Sequence, residues 1–476
     1  MLGPPSGLRP PAPIPARRSL GTIGLIRALW NNPLEAWTEA HFQEPVVTAA
    51  LGLGRVAVVS SPDAIRRVLV ENRTNYRKDT FQRRVMSALG NGLLSAEGDE
   101  WHVQRRTLAP IFTRKAVLEF SPSMAEAACQ TVEQWRARDG GTVDVAADVT
   151  RLTLDVLERT IFSDGLGRDT EDVRAAMRVY FDSIGRIDPL DVLGVPDFVP
   201  RLGQFGARRA LRLFRRAVDT IIATRRRRLA QELDLPRDIL SLLIEAKDPE
   251  TGRRLSEESI RSNIITLIVA GHETTASAVI WSLVLLAAAP QWRERVAAEI
   301  DRIGDGNGIE ELPDQLIETR AVLEEALRLY PPLPAISRVA LAADVLSGIP
   351  IRKGSLIVIA PYVVHRHRRL WEDPDVFDPT RFLPGRREAI DPFAFLPFGR
   401  GPRGCIGITF AMQEATLILR TIIKNVELEL LPDRSVWPVH RISLQPAHGL
   451  CMSVRDKARM RRNLPPQWPA GLARAS

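Results

Sequence analysis

Residues 398–407 read FGRGPRGCIG, directly after the apolar run PFAFLP at 392–397. One cysteine, Cys405, sits there among four glycines, two arginines and a proline. Glycines at 399, 401, 404 and 407 let a backbone wrap closely around a sulfur and aim N–H groups at it. Arg400 and Arg403 add fixed positive charge, and a helix expected from about Ile406 presents its N-terminus. All three influences favour a thiolate. On these residues alone the sulfur is a nucleophile, a redox switch or a metal ligand. A zinc site needs further cysteines or histidines nearby, and the loop has none. A nucleophile needs a histidine base, for which His365 and His367 are distant candidates.

The surrounding chain is ordinary globular material. Its 476 residues are 45% apolar and 26% charged, enough to bury a large core. A formal charge of +8 favours acidic partners. No stretch interleaves aromatic and basic residues as a platform for stacked bases does, so nucleic acid is set aside. Cys129, Cys405 and Cys451 are too few and too scattered for a disulfide framework, which points to a reducing cytoplasm. There is no signal-peptide pattern and no run of about 18 apolar residues, so no integral membrane anchor is expected.

Three regions organise the chain. Residues 1–20 form a proline-rich arm, expected to be extended and loose. Residues 21–455 read as a single domain, and 456–476 as a basic, loose tail. Within the domain, PVVTAALGLGRVAVVSS (45–61) suits a β-hairpin. The pattern from Pro62 to about Ala230 is mostly helical, broken by a Pro/Gly-rich, lid-like connector over 182–206. Arg225 to Arg228 end an amphipathic helix and read as a solvated face. A small sheet is expected over 345–366.

The segment from Ser256 to Ala289 predicts one long helix, begun by a serine cap and stopped by Pro290. It is apolar all round and should be buried. Its middle nevertheless carries His272, Glu273, Thr274 and Thr275, which is costly unless they line a cavity. Position 276 is alanine, so the zinc-protease pattern HExxH is excluded. Instead Glu273 and Thr274 set an acid beside a hydroxyl, a pair able to pass protons. Gly271 leaves room for a flat ligand. Glu325 and Arg328 stand one helical turn apart as an ion pair. Trp101 and Arg105 combine an indole N–H with a guanidinium, a grip for a carboxylate.

Together these segments resemble the cytochrome P450 family of haem-thiolate monooxygenases. FGRGPRGCIG matches FxxGxRxCxG at Phe398, Gly401, Arg403, Cys405 and Gly407. AGHETT matches the oxygen-activation segment, EALR the ExxR pair, FDPTRF a later segment contributing Arg381, and WHVQR the early WxxxR. Thr380 departs from the glutamate common at that place.

The resemblance implies a mainly α fold with a smaller β-rich region near the N-terminus, built around a buried haem b. Cys405 would be the axial thiolate, with Phe398 packed beside it. Arg403, Trp101, Arg105 and Arg338 would bind the haem propionates. Thr274 and Glu273 would relay protons, Ala270 and Gly271 would line the distal side, and Glu325, Arg328 and Arg381 would form a structural ion network. The reaction implied is insertion of one oxygen atom from O2 into a lipophilic molecule: a fatty acid, terpenoid or steroid-like compound. Electrons would come from NAD(P)H through a separate ferredoxin- or flavodoxin-like partner, with Arg105, Arg106 and Arg400 suited to its acidic surface. A peroxide-using or isomerising haem-thiolate enzyme is the alternative, and a haem sensor a further one.

Overall fold

The computed structural model describes residues 7–51, 54–79, 89–163, 204–231, 235–306, 308–333, 335–441 and 443–462. The 182–206 connector lies almost entirely outside them. The longer helices are α1 (Thr22–Asn31), α2 (Gly98–Leu108), α3 (Ser121–Arg136), α4 (Val145–Phe162), α5 (Gln204–Ala230), α6 (Ile239–Glu245), α7 (Glu257–Ala288), α8 (Pro290–Ile303), α9 (Ile317–Leu329) and α10 (Ile408–Asn425).

The axis of the molecule is α7. Ser256 caps it, its hydroxyl accepting from Ser259 N–H at 3.1 Å, with Glu257 and Glu258 in the first turn where acids suit the dipole. By length and composition α7 could cross a membrane, but most of it is buried among α4, α9 and α10. Thr153 of α4 donates to the carbonyl of His272 at 2.9 Å and fixes that crossing. Pro290 ends α7 as expected and also opens α8, because proline at a first helical position forfeits no hydrogen bond.

The β-rich region is only partly N-terminal. Strands β1 (Val46–Leu51) and β2 (Gly54–Val59) form the expected hairpin, with Val46 opposite Val59. β3 (Tyr76–Arg77) pairs antiparallel with β4 (Ile336–Ala340), and β4 with β5 (Leu356–Ile359). β5 runs parallel to β2 and closes one five-stranded sheet. This register carries the chain beyond Arg77 past Arg338.

Three expectations change. The proline-rich arm is docked where it is described: Tyr330 Oη donates to Pro11 O at 2.8 Å, and Phe377 N–H to Leu8 O at 2.9 Å. Arg225 is not on a solvated face. It is 3% exposed, donates to both carboxylate oxygens of Asp238 at 2.8 Å, and bonds to Phe162 O at 3.2 Å. The helical pattern could not reveal this, because the partner lies beyond the helix end. At the C-terminus, Lys457–Arg462 is helical rather than loose.

Candidate active site

A cavity of about 360 Å³ lies between α7, the cysteine loop and β4. The loop is a tight double turn: Gly404 N–H donates to Gly401 O at 3.0 Å and Cys405 N–H to Phe398 O at 2.9 Å. Gly401 has φ +77°, and a Cβ there would meet the Leu69 carbonyl oxygen at 2.6 Å, so no side chain fits. The turn opens the Cys405 thiol onto the cavity. Phe398 and Arg403 line the same space.

The expectation that this loop makes an acidic cysteine by itself is corrected. Burial pushes the thiol above its ordinary value, outweighing the Gly407 N–H and the Arg105 charge. Arg400 is turned away to Pro392 O at 2.9 Å, and Arg403 to Ala96 O at 3.0 Å. His365 is no base for it. That ring is buried between Arg328 O (3.1 Å) and Leu396 N–H (2.7 Å), and both nitrogens are occupied.

The expected grip is assembled, with one member the sequence did not show. Trp101 and Arg105 of α2, Arg338 of β4 and Arg403 converge on the cavity, and Lys78 joins them. Arg403 lies over the Trp101 indole at 4.5 Å, and Arg105 donates to Gly404 O at 3.1 Å. Burial, then Arg403, lowers Arg338 to about 10. Burial, then Arg403, with a further contribution from Arg338, lowers Lys78 to about 7. Burial also depresses Arg105 and Arg403. Cations withdrawn from water that depress one another create a strong demand for anionic oxygen. Haem would meet it, with two propionates for the cations and an iron for the Cys405 sulfur. The residues present fit the group. Lys78 belongs to no motif, and only its strand register against β4 brings it here.

On the other wall stand Ala270, Gly271, Thr274 and Thr275 of α7. Thr274 Oγ1 donates back to Ala270 O at 2.7 Å, with Gly271 O at 3.3 Å. Glu273 is half-buried beside it but is not among the lining residues. Gly271 has a second reason to be glycine: a Cβ there would lie 3.1 Å from a Leu157 methyl, so its absence also seats α4 on α7. A further residue missed by sequence is Glu414 of α10, fully buried on the cavity wall with one oxygen unpartnered. Burial holds its carboxyl well above the ordinary carboxylate range, against a hydrogen bond from Thr275. An acid inside the apolar run ITFAMQEATLIL was its only signal.

The ion network forms away from the cavity. Arg328 and Glu325, both fully buried, pair at 2.6 Å, and Arg328 also bonds to the carbonyls of His365, Pro374 and Val376. Arg381 joins at 3.7 Å. Thr380 instead bonds to Asp378, at 2.5 Å. Arg106 is a correction: it is held by Asp248 (2.8 Å) and Glu250 (2.9 Å), so its charge is already answered within the chain.

Comparison with known proteins agrees with this geometry. The cytochrome P450 family model matches residues 9–450. Cyclooctat-9-en-7-ol 5-monooxygenase of Streptomyces melanosporofaciens is 33% identical over 417 residues, covering 87% of this chain and 89% of its own. Pentalenene oxygenase of Streptomyces avermitilis is 30% identical, covering 88% and 92%. The crystal structure of the cytochrome P450DA haem domain superposes with a TM-score of 0.80 at 27% identity, covering 94% of this chain and 99% of that one. A cysteine loop, a cation-lined cavity and a long threonine-bearing helix, matched from end to end, lead to one conclusion: this chain belongs to the cytochrome P450 family of haem-dependent monooxygenases.

Proposed function

We propose that the protein oxygenates a terpenoid-like molecule, with Cys405 as the axial ligand of haem and Thr274 as the proton-handling residue. The observation that carries this reading is the single cavity that joins the Cys405 thiol, the buried cations and the Thr274 segment within an otherwise largely apolar wall. When bound, haem supplies the redox chemistry that activates O2, drawing electrons that originate in NAD(P)H.

The chain's own residues do the rest. Lys78, Arg105, Arg338 and Arg403 hold the propionates by charge, and Trp101 stacks beneath Arg403 to fix its plane. Phe398 lines the cavity beside the cysteine loop. Rotation of Thr274 away from Ala270 O would offer its hydroxyl to the cavity that it lines. Glu273 stands behind it as the acid that resupplies the proton.

Leu93, Leu267 and Ile239 offer the substrate apolar contact. The names of two Streptomyces relatives, a cyclooctatenol monooxygenase and a pentalenene oxygenase, favour a terpenoid over a fatty acid. A separate acidic ferredoxin- or flavodoxin-like donor in the cytoplasm completes the reading. Arg106, already paired, is not part of its docking surface, and Arg105 faces inward.

A spectral screen of the haem-loaded protein tests this. Terpenoids should displace the spectrum by type I shifts at lower concentration than fatty acids of equal carbon number. A carbon monoxide difference spectrum without the thiolate band would sink the Cys405 assignment, and fatty acids binding more tightly would sink the terpenoid one.

A further inference from the structure

The polar side chains on the α7 wall of the cavity are nearly all accounted for. Asn263 is fully satisfied: its oxygen accepts from Leu93 N–H at 2.8 Å, and its amide donates to Gln104 Oε1 at 3.0 Å and Ser259 O at 2.8 Å. Thr274 is returned to its own helix. Thr266 differs. It is 6% exposed, lines the cavity, and its hydroxyl has no hydrogen-bond partner among the described residues.

Threonines in the middle of helices normally return their hydroxyl to the carbonyl four residues back, as Thr107 and Thr160 do here at 2.8 Å. Thr266 does not. Its oxygen is directed instead at Gly92, where a Cβ would come within 2.7 Å of it. Gly92 has nothing to give, because its carbonyl is already taken by the N–H groups of Ser95 and Ala96. The neighbouring lining residues Leu93, Leu267, Ile161 and Ile239 are apolar. A buried hydroxyl left this way costs stability, whereas valine would fill the same volume without that cost. A turn of about 120° about the Cα–Cβ bond carries the oxygen off the Gly92 side, the second of the two positions open to threonine in a helix.

We infer that Thr266 is a substrate anchor, pairing with an oxygen function already present on the lipophilic substrate. Thr266 precedes Thr274 by eight residues, a rise of about 12 Å along α7. The substrate class is therefore an oxygenated terpenoid whose hydroxyl or carbonyl lies on the order of 10 Å from the carbon that is oxidised. This rests on the haem-monooxygenase reading and narrows its substrate.

The test uses haem-loaded wild type and the variants Thr266→Val and Thr266→Ser. Spectral titrations with matched pairs, farnesol against farnesene and a diterpene alcohol against its hydrocarbon, give dissociation constants. The thiolate carbon monoxide band is recorded first. Its absence overturns the parent reading, and its presence makes the titrations a test of the anchor alone. In wild type at least one alcohol should bind more tightly than its hydrocarbon. That ratio should fall about tenfold in Thr266→Val and persist in Thr266→Ser. The melting temperature of Thr266→Val should be equal to or above that of wild type, an outcome opposite to the loss of a structural hydrogen bond. An alcohol-to-hydrocarbon ratio unchanged by Thr266→Val overturns the anchor. So does a clear fall in its melting temperature, or the failure of every alcohol to outbind its hydrocarbon in wild type.

Discussion

The guanidinium of Arg403 lies 4.5 Å over the indole of Trp101, so the cysteine loop and α2 share one cationic platform on the cavity. On the proposed reading the pair would set the plane in which two propionate groups are received. Trp101→Leu keeps bulk but removes both the ring face and the N–H. It should speed haem transfer to an acceptor protein about five- to thirtyfold, equivalent to about 1–2 kcal/mol. A transfer rate equal to wild type would remove the indole from the grip.

On the proposed reading Thr274 would serve the chemistry rather than the binding. Thr274→Ala should leave terpenoid-induced spectral shifts within about twofold of wild type. Product formed per electron supplied should fall about tenfold to a hundredfold, the electrons appearing as peroxide. Coupled oxygen-consumption and peroxide assays measure this. Full coupling in the variant would remove Thr274 from the proton path.

Stability should fall on mild acidification. Burial lowers His272 to about 4, and His365 and His440 to about 3. Unfolded histidines ionise near 6.5, so below that pH the unfolded chain binds more protons than the native one. The stability contributed by these histidines is therefore complete above about pH 6.5 and is lost as pH falls toward 4. The limiting slope is about 1.4 kcal/mol per pH unit for each histidine. Denaturant titrations at pH 7, 6 and 5 measure it, and His440→Gln should flatten the slope by up to about 1.4 kcal/mol per pH unit.

Glu414 should act in the opposite direction. Its carboxyl is held neutral by burial, so its folded value lies above the unfolded one. The native chain retains a proton that the unfolded chain releases, and stability falls as pH rises above the unfolded value. Glu414→Gln should stabilise the protein by about 1–3 kcal/mol at pH 8 and not at pH 4. Equal stability of variant and wild type at pH 8 would mean that the carboxyl is solvated.

Two arginines separate structural from docking roles. Arg225→Met leaves Asp238 buried without its partner and should cost about 3–5 kcal/mol in chemical denaturation. Arg106→Gln should lower the melting temperature while leaving ferredoxin-dependent reduction unchanged. A slower reduction with altered salt dependence would return Arg106 to the donor's docking surface.

Much of this protein is local, and what is local the sequence determined. Glycine spacing around Cys405, the serine cap and apolar run of α7, and the polar cluster at 272–275 each depend on neighbours a few residues away. So the cysteine loop, the long buried helix and the β1–β2 hairpin were legible before any coordinates. Tertiary structure decided what depends on distant partners. Burial, rather than loop charge, governs the Cys405 thiol. Strand register brings Lys78 to Arg338, and Asp238 removes Arg225 from solvent. Asp248 takes up the charge of Arg106. Whether Thr266 or Thr274 returns its hydroxyl to α7 depends on what packs against each. A one-dimensional pattern fixes which groups are present and on which helix face. Only packing fixes which of them lose water and which find a partner, and in a buried site those two quantities set the chemistry.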